Sequence, residues 1–381
     1  MNTYRKDDLI RLARRAHNTR RTYLLVNPLQ GKHMPVSPGA ALSMMGALGE
    51  KLALERPGID LVIGFAETAT AVAAAAAARM GRPCHYIHTT REPDALGETV
   101  EFLEEHSHAV EQRLRLSRLR QWIDGARAIA LVDDELSTGR TMVNAIRTLG
   151  EACPSIRQKP LTVASLISRL GPDSLAGLAG WDMRTVSLVH CPMEDYTAAV
   201  SRYGIDDAHA PAGEKLDYAE GVLPLSGMDA REGVGLPAWI DALTAASDSL
   251  LEGMADGLRG RRVTVLGTEE YMLPGLVFGR RLEAMGCADR VRFHATTRSP
   301  IGIGSDAGYP IRAGWRLRSF YDAGRVTYIY NLEPCDIAVV MTDSRDDAAV
   351  AAAMEDLTAA LREAGCGAVR LIREANHVQH L

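Results

Sequence analysis

Apolar and polar positions along this chain switch between two periods, and the switching occurs twice over. Short apolar runs at residues 23–26, 61–64, 84–88, 128–132, 161–167 and 185–190 predict buried strands. Between them lie stretches of helical spacing. Residues 38–54 open on Ser37 and Pro38, a good N-cap and first-turn pair; residues 69–80 are alanine-rich and are closed by Gly81 and Pro83. Met142, Ile146 and Leu149 share one helical face, with Gly150 placed to end that helix. Strands alternating with helices in this way predict an α/β fold with a doubly wound parallel sheet. Residues 4–21 are basic and helical in pattern, with Leu9, Leu12, Ala13 and Ala16 as a docking stripe. Residues 94–125 are charged and helical, without the apolar density of a core element.

The second half repeats the order of the first. Residues 204–236, rich in Gly, Pro and Asp without a sustained period, predict a linker, and residues 239–258 a long helix joining the halves. Strand 263–266 with Gly267 and then Glu269 and Glu270 echoes residues 61–67. A helix over 273–285 and a strand over 291–295 follow. Thr296-Thr297-Arg298-Ser299-Pro300 then matches Thr89-Thr90-Arg91-Glu92-Pro93 at four of five positions. Strand 337–341 leads into Thr342-Asp343, where the first half has Asp133-Asp134. Arg298 follows Arg91 by 207 residues and Asp343 follows Asp134 by 209, which argues for a duplicated fold. The expected division is 1–225 and 226–381.

Composition narrows the function. At 381 residues the chain is long for one core. A net charge of −5 gives no support for nucleic acid as a partner, and no apolar run is long enough for a bilayer. The N-terminus lacks the apolar core of a secretory signal, and six cysteines are scattered without a CxxC pair. Reduced, mostly buried thiols in a cytoplasmic protein are expected.

The chemistry concentrates after strand 128–132. Asp133 and Asp134 are followed by a small polar turn, Ser137-Thr138-Gly139-Arg140-Thr141, and then by the amphipathic helix. Such a loop offers backbone N–H groups and hydroxyls at a positive helix end, a cradle for phosphate. Two carboxylates beside it suit vicinal ribose hydroxyls or a magnesium ion. Phosphoribosyl pyrophosphate carries a phosphate, a diol and a magnesium-bound diphosphate together. Residues 64–70 are small enough for a backbone to approach a ligand closely, although Glu67 there would repel an anion unless magnesium or Arg intervened; as a first-turn acid it also suits a helix start. Arg91, at the end of a strand, is placed for a phosphate oxygen or for a local ion pair. His106 and His108 could shuttle a proton, and Arg113, Arg115, Arg118 and Arg120 could screen a leaving pyrophosphate; a solvated charged face is the plain alternative. Lys32 and His33 sit in a turn-rich loop that could meet an anion or be ordinary surface. Asp195 and Tyr196 could close an acceptor pocket or simply cap and pack.

Residues 130–142 resemble the signature of type I phosphoribosyltransferases: apolar residues, Asp-Asp, three residues, Thr-Gly, one residue, Thr. Glu135 departs from the small apolar residue usual in that position. Together with residues 64–70, the Glu105-His106-Ser107-His108 segment and Thr297-Arg298-Ser299-Pro300, the chain resembles the tellurium-resistance-associated group that ends in a domain named for the Thr-Arg-Ser-Pro motif. That resemblance implies a phosphoribosyltransferase fold with a hood over residues 94–125 and a degenerate second copy. It implies an enzyme that moves ribose 5-phosphate from phosphoribosyl pyrophosphate, with Mg2+, to a small nitrogenous acceptor in ribonucleoside-like biosynthesis. Site residues would be Asp133 and Asp134 for ribose and metal, Ser137, Thr138, Gly139, Arg140 and Thr141 for the 5′-phosphate, Ala66, Glu67, Thr68 and Arg91 for pyrophosphate, and His106 and His108 in the hood. A sensor that binds the same ligand or a nucleotide without turnover is the competing reading. The second copy lacks Thr-Gly-x-Thr and has Ser344-Arg345-Asp346-Asp347 instead, poor company for a phosphate. It keeps Arg298 and the glycine-bearing loop 302–306, for a ligand or for structural support or homodimerisation.

Overall fold

The computed structural model of the protein describes residues 3–17, 21–93, 97–102 and 112–375. Near the N-terminus α1 (Lys6–Leu9) is followed by β1 (Arg11–Arg14) and β2 (Tyr23–Val26), which pair antiparallel. The basic stretch 4–21 is therefore mostly not helix: β1 is held by main-chain bonds to β2, with Ala13 fully buried. Then come α2 (Pro38–Glu55), β3 (Ile59–Gly64), α3 (Ala69–Arg79) and β4 (His85–His88). The expected helical pattern over 94–125 is largely overturned. Its described residues form a hairpin of β5 (Thr99–Phe102) and β6 (Gln112–Arg115) before the short α4 (Leu119–Gly125). Each strand of the hairpin is only four residues long, too short for period-two alternation to stand out.

β7 (Ala128–Leu136) runs four residues beyond the predicted strand and includes both aspartates and Glu135. α5 (Arg140–Ala152), β8 (Leu161–Ser168) and β9 (Met183–His190) complete the first half. Gly150 lies inside α5 and does not end it; its missing side chain leaves room for Trp181, whose ring would stand 2.9 Å from a Cβ. Past α6 (Thr197–Ser201), the stretch expected as linker contains β10 (Tyr218–Leu223) and β11 (Val234–Gly235), both paired in sheets. α7 (Leu236–Leu258) leads to β12 (Arg262–Gly267), α8 (Leu273–Met285), β13 (Arg290–Ala295), and the hairpin β14 (Gly314–Arg318) and β15 (Val326–Tyr330). β16 (Ile337–Thr342), α9 (Asp347–Glu363) and β17 (Ala368–Glu374) close the chain.

Two compact units result, and they interleave along the sequence. One comprises residues 1–6, 42–194 and 227–241; the other comprises 7–41, 195–226 and 242–381. The cut at 225/226 separates the two sequence repeats, whereas the units also exchange segments on either side of it. In the first unit the sheet order is β11-β4-β3-β7-β8-β9, parallel apart from β11. In the second it is β10-β17-β16-β12-β13, all parallel. Ranked by chain order, four strands of each sheet, β4-β3-β7-β8 and β13-β12-β16-β17, read 2-1-3-4, and each set carries an antiparallel strand pair between its second and third strands. The duplication read from sequence is thus a duplication of topology.

This order places a site. Connections leave the sheet in opposite directions from β3 and from β7, and ligands of open parallel sheets gather outside the carboxyl ends of such a strand pair. α3 is tightly seated there: Ala69 to Ala77 are all buried, and a Cβ on Gly64 would lie 2.8 Å from Ala73 Cβ and 3.1 Å from the Ala69 carbonyl. Among the described residues, no helix is long and apolar enough to cross a membrane.

Candidate active site

At the end of β3 the chain turns through Phe65, Ala66, Glu67 and Thr68 into α3, and all four are buried. The Ala66–Glu67 peptide is cis. Three residues tie this loop to its neighbours. The Ala66 N–H donates to Thr89 Oγ1 at 2.7 Å, the Thr89 hydroxyl donates to Gln112 Oε1 at 2.5 Å, and Gln112 Nε2 donates back to the Ala66 carbonyl at 2.5 Å. Gln112 is 1% exposed and is the first residue of β6, so one amide ties β6, the β3 loop and the β4 end together. Sequence reasoning missed it; the only hint was a polar residue starting an apolar-alternating four-residue run. Thr68 is also buried, and its hydroxyl has no hydrogen-bond partner among the described residues. A desolvated hydroxyl in this position is costly unless something polar reaches it. Arg91 is partly buried one residue past Thr90, which pairs by two main-chain bonds with Arg113.

Across the switch point, β7 carries Asp133 and Asp134, both partly buried. Asp133 Oδ1 accepts the Asp134 N–H at 2.8 Å. As neighbours in an extended strand they project to alternate sides, so the strand does not present them as a two-pronged clamp. Glu135, the departure from the expected pattern, has a partner: its carboxylate lies 3.8 Å from Arg169 Nη1, whose side chain is 1% exposed. Arg169 also donates through Nη2 to the Glu194 carbonyl at 2.6 Å. The acid therefore compensates a buried guanidinium at the end of β8.

Ser137, Thr138 and Gly139 then lead into α5. Gly139 is the N-cap with φ 83° and ψ −6°, and without a side chain it makes no cap bond of its own. The Arg140 N–H reaches Thr138 Oγ1 at 3.4 Å. The left-handed residue opens a 13-residue helix, whose positive end therefore lies at Ser137 to Thr141. A Cβ on Gly139 would lie 3.0 Å from Leu170 Cδ2 and 3.1 Å from the Ser174 carbonyl. Gly139→Ala should therefore cost about 1–2 kcal/mol from backbone conformation alone. Thermal unfolding should show the loss, and titration with inorganic phosphate should show weaker binding; unchanged values for both would remove Gly139 from the cradle.

Other expected residues fall elsewhere. His106 and His108 lie outside the described residues. The arginines assigned to a leaving group have internal partners: Arg113 with Glu101 at 3.0 Å, Arg115 with Glu232 at 2.6 Å, Arg118 with the Gly233 carbonyl at 3.0 Å, and Arg120 with Glu98. His33 is buried in the second unit, where burial first and the nearby Lys32 next hold its pKa well below the usual histidine range, so it offers no cation to an anion. Asp195 caps the Thr197 N–H at 2.9 Å, and Tyr196 packs edge-on against Tyr23.

Residues 9–191 match the family model described as phosphoribosyl transferase, and residues 228–361 match the TRSP domain that lies C-terminal to it. The chain has a phosphoribosyl transferase-family domain followed by a TRSP domain. Among solved structures it is similar to adenine phosphoribosyltransferase from Giardia lamblia complexed with 9-deazaadenine, at 17% identity over 49% of this chain and 95% of that one, with a TM-score of 0.34. Adenine phosphoribosyltransferase from Thermoanaerobacter pseudethanolicus gives 17%, 48%, 96% and 0.35, and orotate phosphoribosyltransferase from Aeropyrum pernix 18%, 49%, 89% and 0.30. No curated protein sequence matches the chain.

In the TRSP domain part of this scaffold recurs. Thr296 accepts the Glu269 N–H at 3.0 Å through Oγ1, as Thr89 accepts that of Ala66. Thr297 bridges Tyr328 of the hairpin as Thr90 bridges Arg113. The Ser299 N–H donates to Thr297 Oγ1 at 3.2 Å, as Glu92 does to Thr90 at 3.1 Å. Sheet register pairs Gly64 with Val132 and Gly267 with Met341, which places Asp343 in the position of Asp134. Loop 302–306 is spent on packing: a Cβ on Gly302 would meet Ile205 at 2.4 Å, and Asp306 accepts the Gly204 N–H at 3.0 Å.

Proposed function

We propose that the phosphoribosyl transferase segment binds phosphoribosyl pyrophosphate outside the carboxyl ends of β3 and β7 and transfers its ribose 5-phosphate to a small, nitrogenous, base-like acceptor. The observation that carries this reading is the convergence at one switch point of the Gly139-led start of α5, the Asp133–Asp134 pair and the buried loop 66–68. The 5′-phosphate would take the amides and hydroxyls of Ser137 to Thr141, and the ribose hydroxyls would donate to the aspartates. Pyrophosphate would lie toward Ala66, Glu67, Thr68 and Arg91, where the Thr68 hydroxyl would find its missing partner. As the bond from C1 to the pyrophosphate oxygen breaks, its electron pair leaves with pyrophosphate and positive charge builds on the ribose. A carboxylate of the pair stabilises that charge. The lone pair of the acceptor nitrogen then closes the new bond to C1, giving a ribonucleoside phosphate-like product.

Magnesium fits this donor set in one way. No group of three His, Cys, Asp or Glu capable of holding a metal occurs among the described residues, and the two aspartates alternate across β7. An ion that keeps most of its ligands from a diphosphate and water needs only one or two carboxylates. Asp133 or Asp134 would supply them, and the ion would neutralise the leaving diphosphate.

The test is incubation of the full chain with labelled phosphoribosyl pyrophosphate, magnesium and a panel of nitrogenous bases. Pyrophosphate release with a new ribosylated mass is expected. Release without a new mass means hydrolysis, and saturable binding without release across the panel means a sensor.

A further inference from the structure

The TRSP domain holds a charge where its sister copy has none. In the loop after β12, Glu269 stands where the first copy has Ala66, and its side chain is 0% exposed. Arg298, the arginine of the Thr-Arg-Ser-Pro motif, donates through Nε to Glu269 Oε2 at 2.6 Å. Ser319 donates to Oε1 at 2.5 Å, and Arg325 Nη2 approaches Oε2 at 3.4 Å. Both arginines are mostly buried, at 17% and 21% exposure. Ser319 lies just past β14 and Arg325 just before β15, so donors from one hairpin turn and from the motif loop converge on one carboxylate. Such an arrangement of a guanidinium, a second guanidinium and a hydroxyl around oxygen is how proteins seat phosphoryl groups.

We propose that Glu269 is a built-in anion: its carboxylate fills the seat that corresponds to the pyrophosphate seat of the first copy, and it is the residue that excludes phosphoryl ligands from the TRSP domain. The correspondence rests on the reading of loop 66–68 and Arg91 given above; the internal pairing does not. The loss of Thr-Gly-x-Thr removes the second copy's phosphate cradle, and Glu269 closes its other anion seat. Any ligand this domain takes must then be recognised without a phosphate at Arg298.

Removing the carboxylate should leave two buried guanidinium groups short of an anion, so Glu269→Ala should lower Tm by roughly 10 °C in a low-anion buffer. Millimolar acetate or inorganic phosphate should restore most of that loss saturably, while Glu269→Ala combined with Arg298→Ala should show no such rescue. By calorimetry, Glu269→Ala should bind one more inorganic pyrophosphate per chain than the native protein does. That difference stays one whether the native protein binds one or none, so failure of the first-copy reading shows only in the native value. Should Glu269→Ala not fold, the isosteric Glu269→Gln keeps the shape and one hydrogen bond but not the charge, and should show a comparable drop without rescue, because its side chain still fills the seat. A stability loss in Glu269→Ala that no anion restores, or a Glu269→Gln protein as stable as the native one, would overturn the proposal.

Discussion

Replacing Asp133 and Asp134 together by Asn is expected to abolish turnover by at least about 100-fold and to remove the thermal stabilisation given by phosphoribosyl pyrophosphate with magnesium. Both changes follow from charge alone. The amide keeps the size of each side chain, and the carboxamide oxygen introduced by Asp133→Asn can still accept the main-chain N–H bond now made at 2.8 Å. β7 itself is held on both sides by main-chain pairing to β3 and β8, so the fold has no reason to change. Tm without ligand should stay within a few degrees of the native value, while the ligand-induced shift disappears. The single variants should differ, because the two residues project to alternate sides of the strand. Undiminished stabilisation of the double variant would move the sugar away from β7.

The second large effect is on stability. Glu135→Gln is expected to cost about 3 kcal/mol, the lower end for breaking a buried ion pair, and hence to lower Tm by roughly 10 °C. Arg169 is the reason. Its guanidinium is almost wholly enclosed, and the Glu135 carboxylate lies 3.8 Å from its Nη1. Neutralising the acid removes that nearby counter-charge from a buried cation. A Glu135→Leu, Arg169→Met double variant should therefore recover much of the loss, and a double-mutant cycle would measure the coupling. Additive losses in that cycle would mean that Arg169 depends on Glu194 and not on Glu135. The position matters beyond stability, because Glu135 and Arg169 join the ends of β7 and β8 immediately beside the aspartates.

Much of the architecture was legible in order along the chain. Buried strands such as Ile59–Gly64 and Leu161–Ser168 are apolar on both faces, and helices such as Leu273–Met285 carry their period and their caps within a dozen residues. The same locality explains the misses. β5 and β6 are strands of only four residues that pair with each other, and Arg11–Arg14 becomes a strand because Tyr23–Val26 lies beside it. The Thr89–Gln112–Ala66 triangle spans three separate elements and left no motif to read.

The sequence alone determined the two-fold repetition, the order of strands and helices in each copy, and the loop in which an acid pair precedes a glycine-led helix. Those features are set by side-chain periodicity, by the conformational freedom of glycine and by the helix dipole, all of which act within a few residues. Tertiary structure decided which charges meet. Glu135 finds Arg169 and Glu269 finds Arg298 because parallel register gathers the carboxyl ends of strands that are far apart in the chain, while Arg325 reaches Glu269 from the antiparallel β14–β15 hairpin. It also brings Cys335 and Cys366, 31 residues apart, to a sulfur–sulfur distance of 3.0 Å, and it draws residues 7–41 into the second unit. A buried charge is tolerable only beside its counter-charge, and that pairing exists only once the sheet has closed around it.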